Sequence, residues 1–283
     1  MADITAIILT KNEEINIADC INSIKDIVKR IVVIDSFSED KTVEIAKDLG
    51  AEVFQNKFIN YSKQYQYGVE VSKISTIWTL RIDADERLTK ESADEINELC
   101  NANMNTDVTG IVLRFKKNFL GKDLYYGGVY PWKKMNLYKT LYGKIEDRSM
   151  DEHIILSQGS ILEMKKDCLH FDFKDIGYFI NKHNWYSSRE TVDYFENKKI
   201  LIKREELDFK TWIKMKYYYK LPIGIRAHIY YIYRYYIRLG FLDGKEGKIY
   251  AFLQAYWYRY LVDIKIYESE KLGIKYEGKG ELK

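Results

Sequence analysis

The sequence predicts an α/β fold: a mostly parallel, Rossmann-like sheet with helices on both faces, followed by amphipathic helices at the C-terminal end. Three observations carry that expectation. Short, wholly apolar runs end in polar residues, which marks strands covered on both faces. Those runs alternate with stretches of helical periodicity, the order of a parallel sheet. The last third of the chain then turns basic and aromatic.

Ile4-Thr5-Ala6-Ile7-Ile8-Leu9-Thr10 is the first such run, too short for a helix and closed by Lys11-Asn12. Asn12-Glu13-Glu14 offers a cap and first-turn acids for a helix bearing Ile17, Cys20, Ile21 and Ile24 at helical spacing. Ile31-Val32-Val33-Ile34 is the second strand, ending at Asp35. A helix over 41–49 is closed by Gly50, and a short strand over 51–54 follows. A helix over 63–72 leads to a fourth strand over 76–82, which runs into Asp83-Ala84-Asp85. Ligands of such sheets bind beyond the carboxyl ends of the strands. Thr10, Asp35, Asp83 and Asp85 all fall there.

Composition bounds the class. Among 283 residues, 46% are hydrophobic and 31% charged, enough for a core and too apolar for a disordered chain. Three scattered cysteines form no CxxC pair and no metal spacing, consistent with buried thiols in a reducing compartment. No uncharged run exceeds ten residues, so neither a transmembrane helix nor a signal-peptide core is expected. The net charge of +3 conceals a division. Residues 198–283 hold 19 basic and 10 acidic side chains, and the remainder holds 26 basic and 32 acidic. Fourteen of the 25 tyrosines follow residue 204. The expected boundary therefore separates a catalytic domain, 1–200, from a basic helical region, 201–283.

Asp83-Ala84-Asp85 can turn two hard oxygen donors to one side of a fraying strand, which suits Mg²⁺ or Mn²⁺ with substrate phosphates as further ligands. A strand-to-helix turn with Asp85 as a cap is the structural alternative. Asp35-Ser36-Phe37-Ser38-Glu39-Asp40 reads either as a capping loop or as a carboxylate for a base or ribose. The first turn, Thr10-Lys11-Asn12-Glu13-Glu14, has no glycine to admit a pyrophosphate, which disfavours a dinucleotide site. A divalent ion then becomes the natural partner for a diphosphate.

Taken together, Ile8-Leu9-Thr10-Lys11-Asn12-Glu13-Glu14, Asp35-Ser36-x-Ser38-x-Asp40-x-Thr42 and Asp83-Ala84-Asp85-Glu86 resemble the motifs of inverting family 2 glycosyltransferases of the GT-A fold. Met150-Asp151-Glu152-His153-Ile154, Lys182-His183-Asn184-x-Tyr186 and Gly240-Phe241-Leu242-Asp243-Gly244-x-x-Gly247 resemble the bacterial branch that builds lipopolysaccharide core and capsule. The resemblance implies that Thr10, Glu13, Asp35 and Asp83 contact a nucleotide sugar, most often a uridine diphosphate sugar. It implies that Asp85, with Asp83, holds the Mn²⁺ or Mg²⁺, and that Glu152 or Asp151 is the catalytic base, with Glu152 favoured. Phe37 stands where the family often has glycine, and Tyr65-Gln66 stand where it often has Arg-Asn. One base and one metal suffice for a single displacement.

Further substrate contacts are expected among His153, Lys182, His183 and Trp132, with packing as the alternative for Lys182, His183 and Trp132. His170, between Leu169 and Phe171, reads as a histidine satisfied within a sheet. Lysines, arginines, tryptophans and tyrosines after residue 204 suit a lipid interface, with packing on the body or homodimerisation as alternatives. No nucleic-acid motif occurs. The implied partners are a nucleotide sugar donor, a lipid-linked oligosaccharide acceptor and an anionic membrane surface. The implied location is the inner face of the bacterial cytoplasmic membrane, held peripherally from the cytoplasm. A sugar nucleotidyltransferase would share the sheet and the carboxylates but needs a glycine-rich loop that Leu9–Ile15 lacks. A non-catalytic membrane scaffold would not need Asp83, Asp85 and Glu152.

Overall fold

The structure, a computed structural model, describes residues 1–146, 153–172, 174–203 and 209–276. The chain divides into two compact units: Met1–Asn118 with Pro131–Asp172, and Phe119–Tyr130 with Phe173–Lys283.

In the first unit, β1 (Ile4–Thr10), α1 (Ile17–Ile24), β2 (Arg30–Asp35), α2 (Thr42–Asp48), β3 (Glu52–Gln55), α3 (Tyr61–Ser72) and β4 (Trp78–Asp83) follow the expected alternation. β2 and β4 flank β1 and run parallel to it, and β3 lies parallel beyond β2. The apolar runs divide by strand alternation. Ile4, Ala6 and Ile8 face a core with Ile17, Cys20, Ile21 and Ile24, while Ile7 and Leu9 face Val32, Ile34 and Tyr65. This is why the β1 run is apolar almost throughout; its interior polar residue, Thr5, is buried and its hydroxyl accepts from the Thr76 hydroxyl at 2.8 Å.

Two starts differ from expectation. α1 begins at Ile17, because Asn12 adopts a left-handed backbone (φ +53) and its side chain accepts from the Glu39 N–H at 2.9 Å. α3 begins at Tyr61, capped by Asn60, whose side chain accepts from the Lys63 N–H.

β5 (Glu86–Arg87), α4 (Lys90–Ala102) and β6 (Val108–Phe119) come next. Thr89, not Asp85, caps α4, in a reciprocal box with Ser92. After β7 (Lys122–Leu124), which belongs to the second unit, the first unit resumes with β8 (Trp132–Lys139), β9 (Gly143–Ile145), β10 (Ile154–Leu156) and β11 (Ser160–His170). The main sheet runs β3-β2-β1-β4-β8-β6-β11-β5, and β9 and β10 form a separate hairpin. Parallel strands at one side with an antiparallel β8 beyond β4 give the mixed α/β, GT-A-type sheet that the motifs implied.

The second unit is helical: α5 (Ile176–Lys203), α6 (Phe209–Lys216), α7 (Ile225–Ile232) extended by a π turn over Tyr233–Ile237, α8 (Gly244–Tyr250), a π segment over Ala251–Trp257 and α9 (Tyr258–Leu272). Tyr258, Val262 and Ile266 pack against Tyr186, Tyr194 and Phe195 of α5. The Gly240–Gly247 motif is architectural. The buried Asp243 carboxylate accepts from the Tyr126 N–H at 2.9 Å and the Tyr125 N–H at 3.1 Å, and the Asp243 carbonyl accepts from Lys122 Nζ at 2.6 Å. A Cβ on Gly247 would stand 2.4 Å from the Gly240 carbonyl oxygen, so only glycine fits that crossing. Among the described residues no helix is long and apolar enough to cross a membrane.

Candidate active site

The parallel strands end level with one another. Thr10 pairs with Asp35 across β1 and β2, and Leu9 with Asp83 across β1 and β4. The loops beyond these ends are cross-stitched. Asn12 N–H donates to Ser38 Oγ at 2.8 Å, Glu13 N–H to Thr42 Oγ1 at 2.8 Å, and Lys41 N–H to Glu14 at 3.1 Å. Asp35 is fully buried, and its carboxylate accepts from the Ser38 N–H at 2.9 Å, the Ser38 hydroxyl and the Gln55 amide at 3.0 Å. Asp35 thus shapes the loop after β2. Thr10 Oγ1 is buried with no hydrogen-bond partner among the described residues. Glu13 is half-buried and accepts from the Asn16 amide at 2.7 Å.

After Asp83 the chain passes through Ala84-Asp85 into β5, which pairs antiparallel with the end of β11, setting His170 opposite Glu86. The Phe171 N–H donates to the Asp85 carbonyl at 2.8 Å. This pairing brings His170 Nε2 to 3.6 Å from Asp85 Oδ2, and the imidazole meets the Trp132 ring edge-on at 4.7 Å. Lys134 of β8 completes the cluster. Its Nζ lies 3.2 Å from Asp83 Oδ2, 2.5 Å from Glu86 Oε1 and 4.0 Å from the centre of the Trp132 ring. The Asp83 N–H donates to Glu86 Oε2 at 3.0 Å.

These contacts sort the acids. Burial pushes the Asp83 carboxyl up, but the Lys134 and Arg81 cations outweigh it and hold the carboxyl at about 2. Burial raises Glu86 above the usual carboxylate range, with Asp83 adding to the rise and Lys134 opposing it. Burial works against the Lys134 ammonium, yet the two carboxylates raise its pKa above the ordinary lysine value. The Asp83 and Asp85 side chains retain 28% and 19% exposure, whereas Glu86 has none. Two reachable carboxylates fit a divalent cation that takes its remaining ligands from substrate phosphates and water. Among the described residues no three-membered His, Cys, Asp or Glu cluster stands in metal-binding geometry. A site completed by the substrate does not need one.

Residues 5–158 match the sequence model of glycosyl transferase family 2. The chain belongs to this family. Similar proteins include an uncharacterized glycosyltransferase of Rickettsia felis, 29% identical over 262 residues, which span 89% of this chain and 87% of that one. The lipopolysaccharide core biosynthesis glycosyltransferase LpsC of Rhizobium meliloti is 25% identical over 266 residues, spanning 89% and 90%. Among solved structures, glucosyl-3-phosphoglycerate synthase of Mycobacterium tuberculosis, in complex with Mn²⁺, UDP and glucosyl-3-phosphoglycerate, is 19% identical with a TM-score of 0.33. That match covers 41% of this chain and 44% of the synthase, so the glycosyltransferase spans less than half of it.

The remaining expected residues are distributed as follows. Asp151 and Glu152 lie outside the described residues. His153 is exposed at the start of β10, and its carbonyl accepts from the Glu146 N–H. Trp132 is walled by Lys134, His170 and Phe115. Lys182 and His183 belong to α5 of the second unit. His183 Nδ1 lies 2.8 Å from the Phe179 carbonyl and Nε2 lies 2.6 Å from Gln254 Oε1, so both ring nitrogens are engaged within that unit. Lys182 Nζ sits 5.6 Å from the Tyr178 ring centre.

The sequence pattern reads His170 as a histidine satisfied within a sheet, whereas the fold sets its Nε2 3.6 Å from Asp85 Oδ2, and nothing in the sequence singled out Lys134. The pairing of a two-residue strand with the end of a strand some 80 residues later has no local signature. The one available signal was a polar residue closing an apolar strand, the pattern already noted at Thr10, Asp35 and Asp83.

Proposed function

We propose that this glycosyltransferase moves a sugar with inversion from a nucleoside diphosphate sugar, a UDP-sugar, to a lipid-linked saccharide in bacterial cell-surface polysaccharide synthesis. The observation that carries the reading is the pair of reachable carboxylates, Asp83 and Asp85, at the carboxyl end of β4, beside the ends of β1 and β2. Asp85 and Asp83 would hold Mn²⁺ or Mg²⁺, with His170 at the edge of the same group. A divalent cation held there supplies Lewis-acid stabilisation of the leaving diphosphate. Lys134 keeps Asp83 anionic across the working pH range. Thr10, Glu13 and Asp35 belong to the nucleotide end of the site. Glu152, or Asp151, takes the proton from the acceptor hydroxyl as its oxygen attacks the anomeric carbon and the bond to the diphosphate breaks.

The lipid-linked acceptor draws support from the second unit. Ile225, Ile229, Ile232 and Tyr236 recur along α7 and its π turn and are all exposed, with Ile237 beside them. Lys216, Lys220, Arg234 and Arg238 lie in the same stretch. An exposed apolar stripe among cations suits an anionic bilayer surface, and the similarity to LpsC suggests lipopolysaccharide core as the product class.

The test is turnover of a panel of nucleotide sugars with Mn²⁺ by the wild type and by Asp85→Asn. Release of nucleoside diphosphate by the wild type, abolished in Asp85→Asn and by chelator, is the expected result. Full activity of Asp85→Asn in chelator would overturn the metal assignment.

A further inference from the structure

The loop between β3 and α3 holds an isoleucine out in solvent. β3 ends at Gln55, level with Asp35 of β2, so the chain leaves the sheet at the end where Thr10, Asp35 and Asp83 stand. Both flanks of the loop are tied down. The Asn56 N–H donates to the Asp35 carbonyl at 3.0 Å, the Asn56 side-chain amide donates to Gln64 Oε1 at 2.9 Å, and the Asn60 side chain accepts from the Lys63 N–H at 2.8 Å. Between these anchors stands Lys57-Phe58-Ile59. Ile59 is 67% exposed, and Phe58 meets the ring of the exposed Tyr61 edge-on at 5.1 Å. The clamp on either side keeps the isoleucine presented to solvent.

The surroundings of the tip say what it meets. Lys57 and Lys63 are exposed on either side of it, and no acidic residue lies between Glu52 and Glu70. An aliphatic tip with aromatic and cationic neighbours suits the headgroup boundary of an anionic bilayer. The apolar side chain enters the acyl boundary, the tyrosine sits at headgroup level, and the lysines meet lipid phosphates. A protein partner fits less well. A stable protein interface buries about 1,200–2,000 Å² and is depleted in lysine at its centre, and one short loop supplies a small part of that area. A lipid surface has no fixed counterpart to fill and admits a wedge of this size.

The loop also borders the reaction. Ser62 Oγ, one residue beyond Tyr61, donates to the Glu146 carbonyl at 2.7 Å, and Glu146 precedes Asp151 and Glu152 by a few residues in the chain. We propose that residues 57–61 form a bilayer-contacting wedge of the catalytic unit. The wedge sets the rim of the active site against an anionic lipid surface, so that a membrane-held acceptor reaches the site without leaving the bilayer. The proposal rests on the lipid-linked-acceptor reading above, and it concerns the first unit alone, apart from the α7 stripe of the second.

The experiment attaches an environment-sensitive NBD fluorophore to the full chain through Ile59→Cys. Cys20, Cys100 and Cys168 are buried, so the reagent reaches the new thiol. The control is Asn101→Cys, exposed near the end of α4 and ahead of β6, at the opposite end of the sheet. On vesicles containing phosphatidylglycerol, the label at 59 should shift to shorter wavelength and brighten several-fold, and the label at 101 should not change. Ile59→Asp should weaken vesicle binding about tenfold and keep the wild-type melting temperature, since the side chain is exposed. Unchanged emission at 59 while the chain sediments with the vesicles would overturn the wedge and leave the lipid-linked-acceptor reading standing. A shift that grows with protein concentration in the absence of vesicles would overturn it in favour of self-association. If the chain binds neither anionic nor neutral vesicles, the lipid reading fails together with the wedge.

Discussion

Lys134 carries its charge between the Trp132 and Phe115 rings, and Asp83 and Glu86 meet it there. Removing one partner of a buried ion pair leaves an uncompensated charge, which typically costs about 3 kcal/mol. Lys134→Met should therefore lower stability at neutral pH by roughly that amount. The pH dependence follows from Asp83, whose carboxyl is held at about 2 against an ordinary 3.8. A depressed carboxyl stabilises the fold fully above its unfolded pKa, and the contribution is lost as pH falls through the folded value. The stability gap between wild type and Lys134→Met should accordingly narrow between about pH 4 and pH 2. Chemical unfolding across that range reads it directly, and a gap independent of pH would sink the assignment. Glu86, raised by burial, works in the opposite sense, because its protonated form is the one the fold favours.

At the scale of elements, α3 shows how closely a helix can be set on the sheet. An ideal Cβ on Gly68 would stand 2.8 Å from Ile34 Cγ1 and 3.3 Å from Ile7 Cγ2, both in fully buried side chains. Alanine in place of glycine favours a helix interior by about 1 kcal/mol. Overpacking a filled core costs about 1–3 kcal/mol, and Ile34 and Ile7 are both fully buried in that core. The clash should win. Gly68→Ala should unfold at lower denaturant than wild type, and Ile34→Val, which removes the Cδ1 lying 3.3 Å from that Cβ and so gives the Cγ1 branch room to shift, should recover part of the loss in the double variant. Additive losses in the double variant would show that the two residues do not compete for the same space. The same helix was legible in outline from its periodicity, but its start at Tyr61 depended on Asn60 turning its side chain to the Lys63 N–H.

For the whole molecule, the uneven charge matters more than its sum. The 19 cations and 10 anions of residues 198–283 follow a body with an excess of acids, and the exposed Ile225, Ile229, Ile232 and Tyr236 stripe lies within the basic part. Apolar insertion and cation attraction to anionic lipid add, and the second weakens as salt shortens the Debye length. The full chain should co-sediment with vesicles containing phosphatidylglycerol more than with neutral ones, and less in 0.5 M than in about 0.1 M salt. Ile229→Asp with Ile232→Asp should reduce that binding without lowering the melting temperature, since both side chains are exposed. Undiminished vesicle binding by the double variant would remove the stripe from the docking face.

The sequence by itself determined the alternating strands and helices of the first 83 residues, the strand-end carboxylates and the change of character in the last third. Each of these is local: a run buried on both faces, a period of 3.6, a count of charges. Even so, Asn12 did not cap α1, because a partner across the loop, the Glu39 N–H, competed for its side chain. Only the tertiary structure decided that Lys134 neutralises Asp83 and Glu86, that His170 stands beside Asp85, and that Asp243 ties down the 119–130 segment. Those contacts join residues 48 to 118 positions apart. Their cost in chain entropy is met by the whole cooperative fold, so no short window of sequence carries their signature.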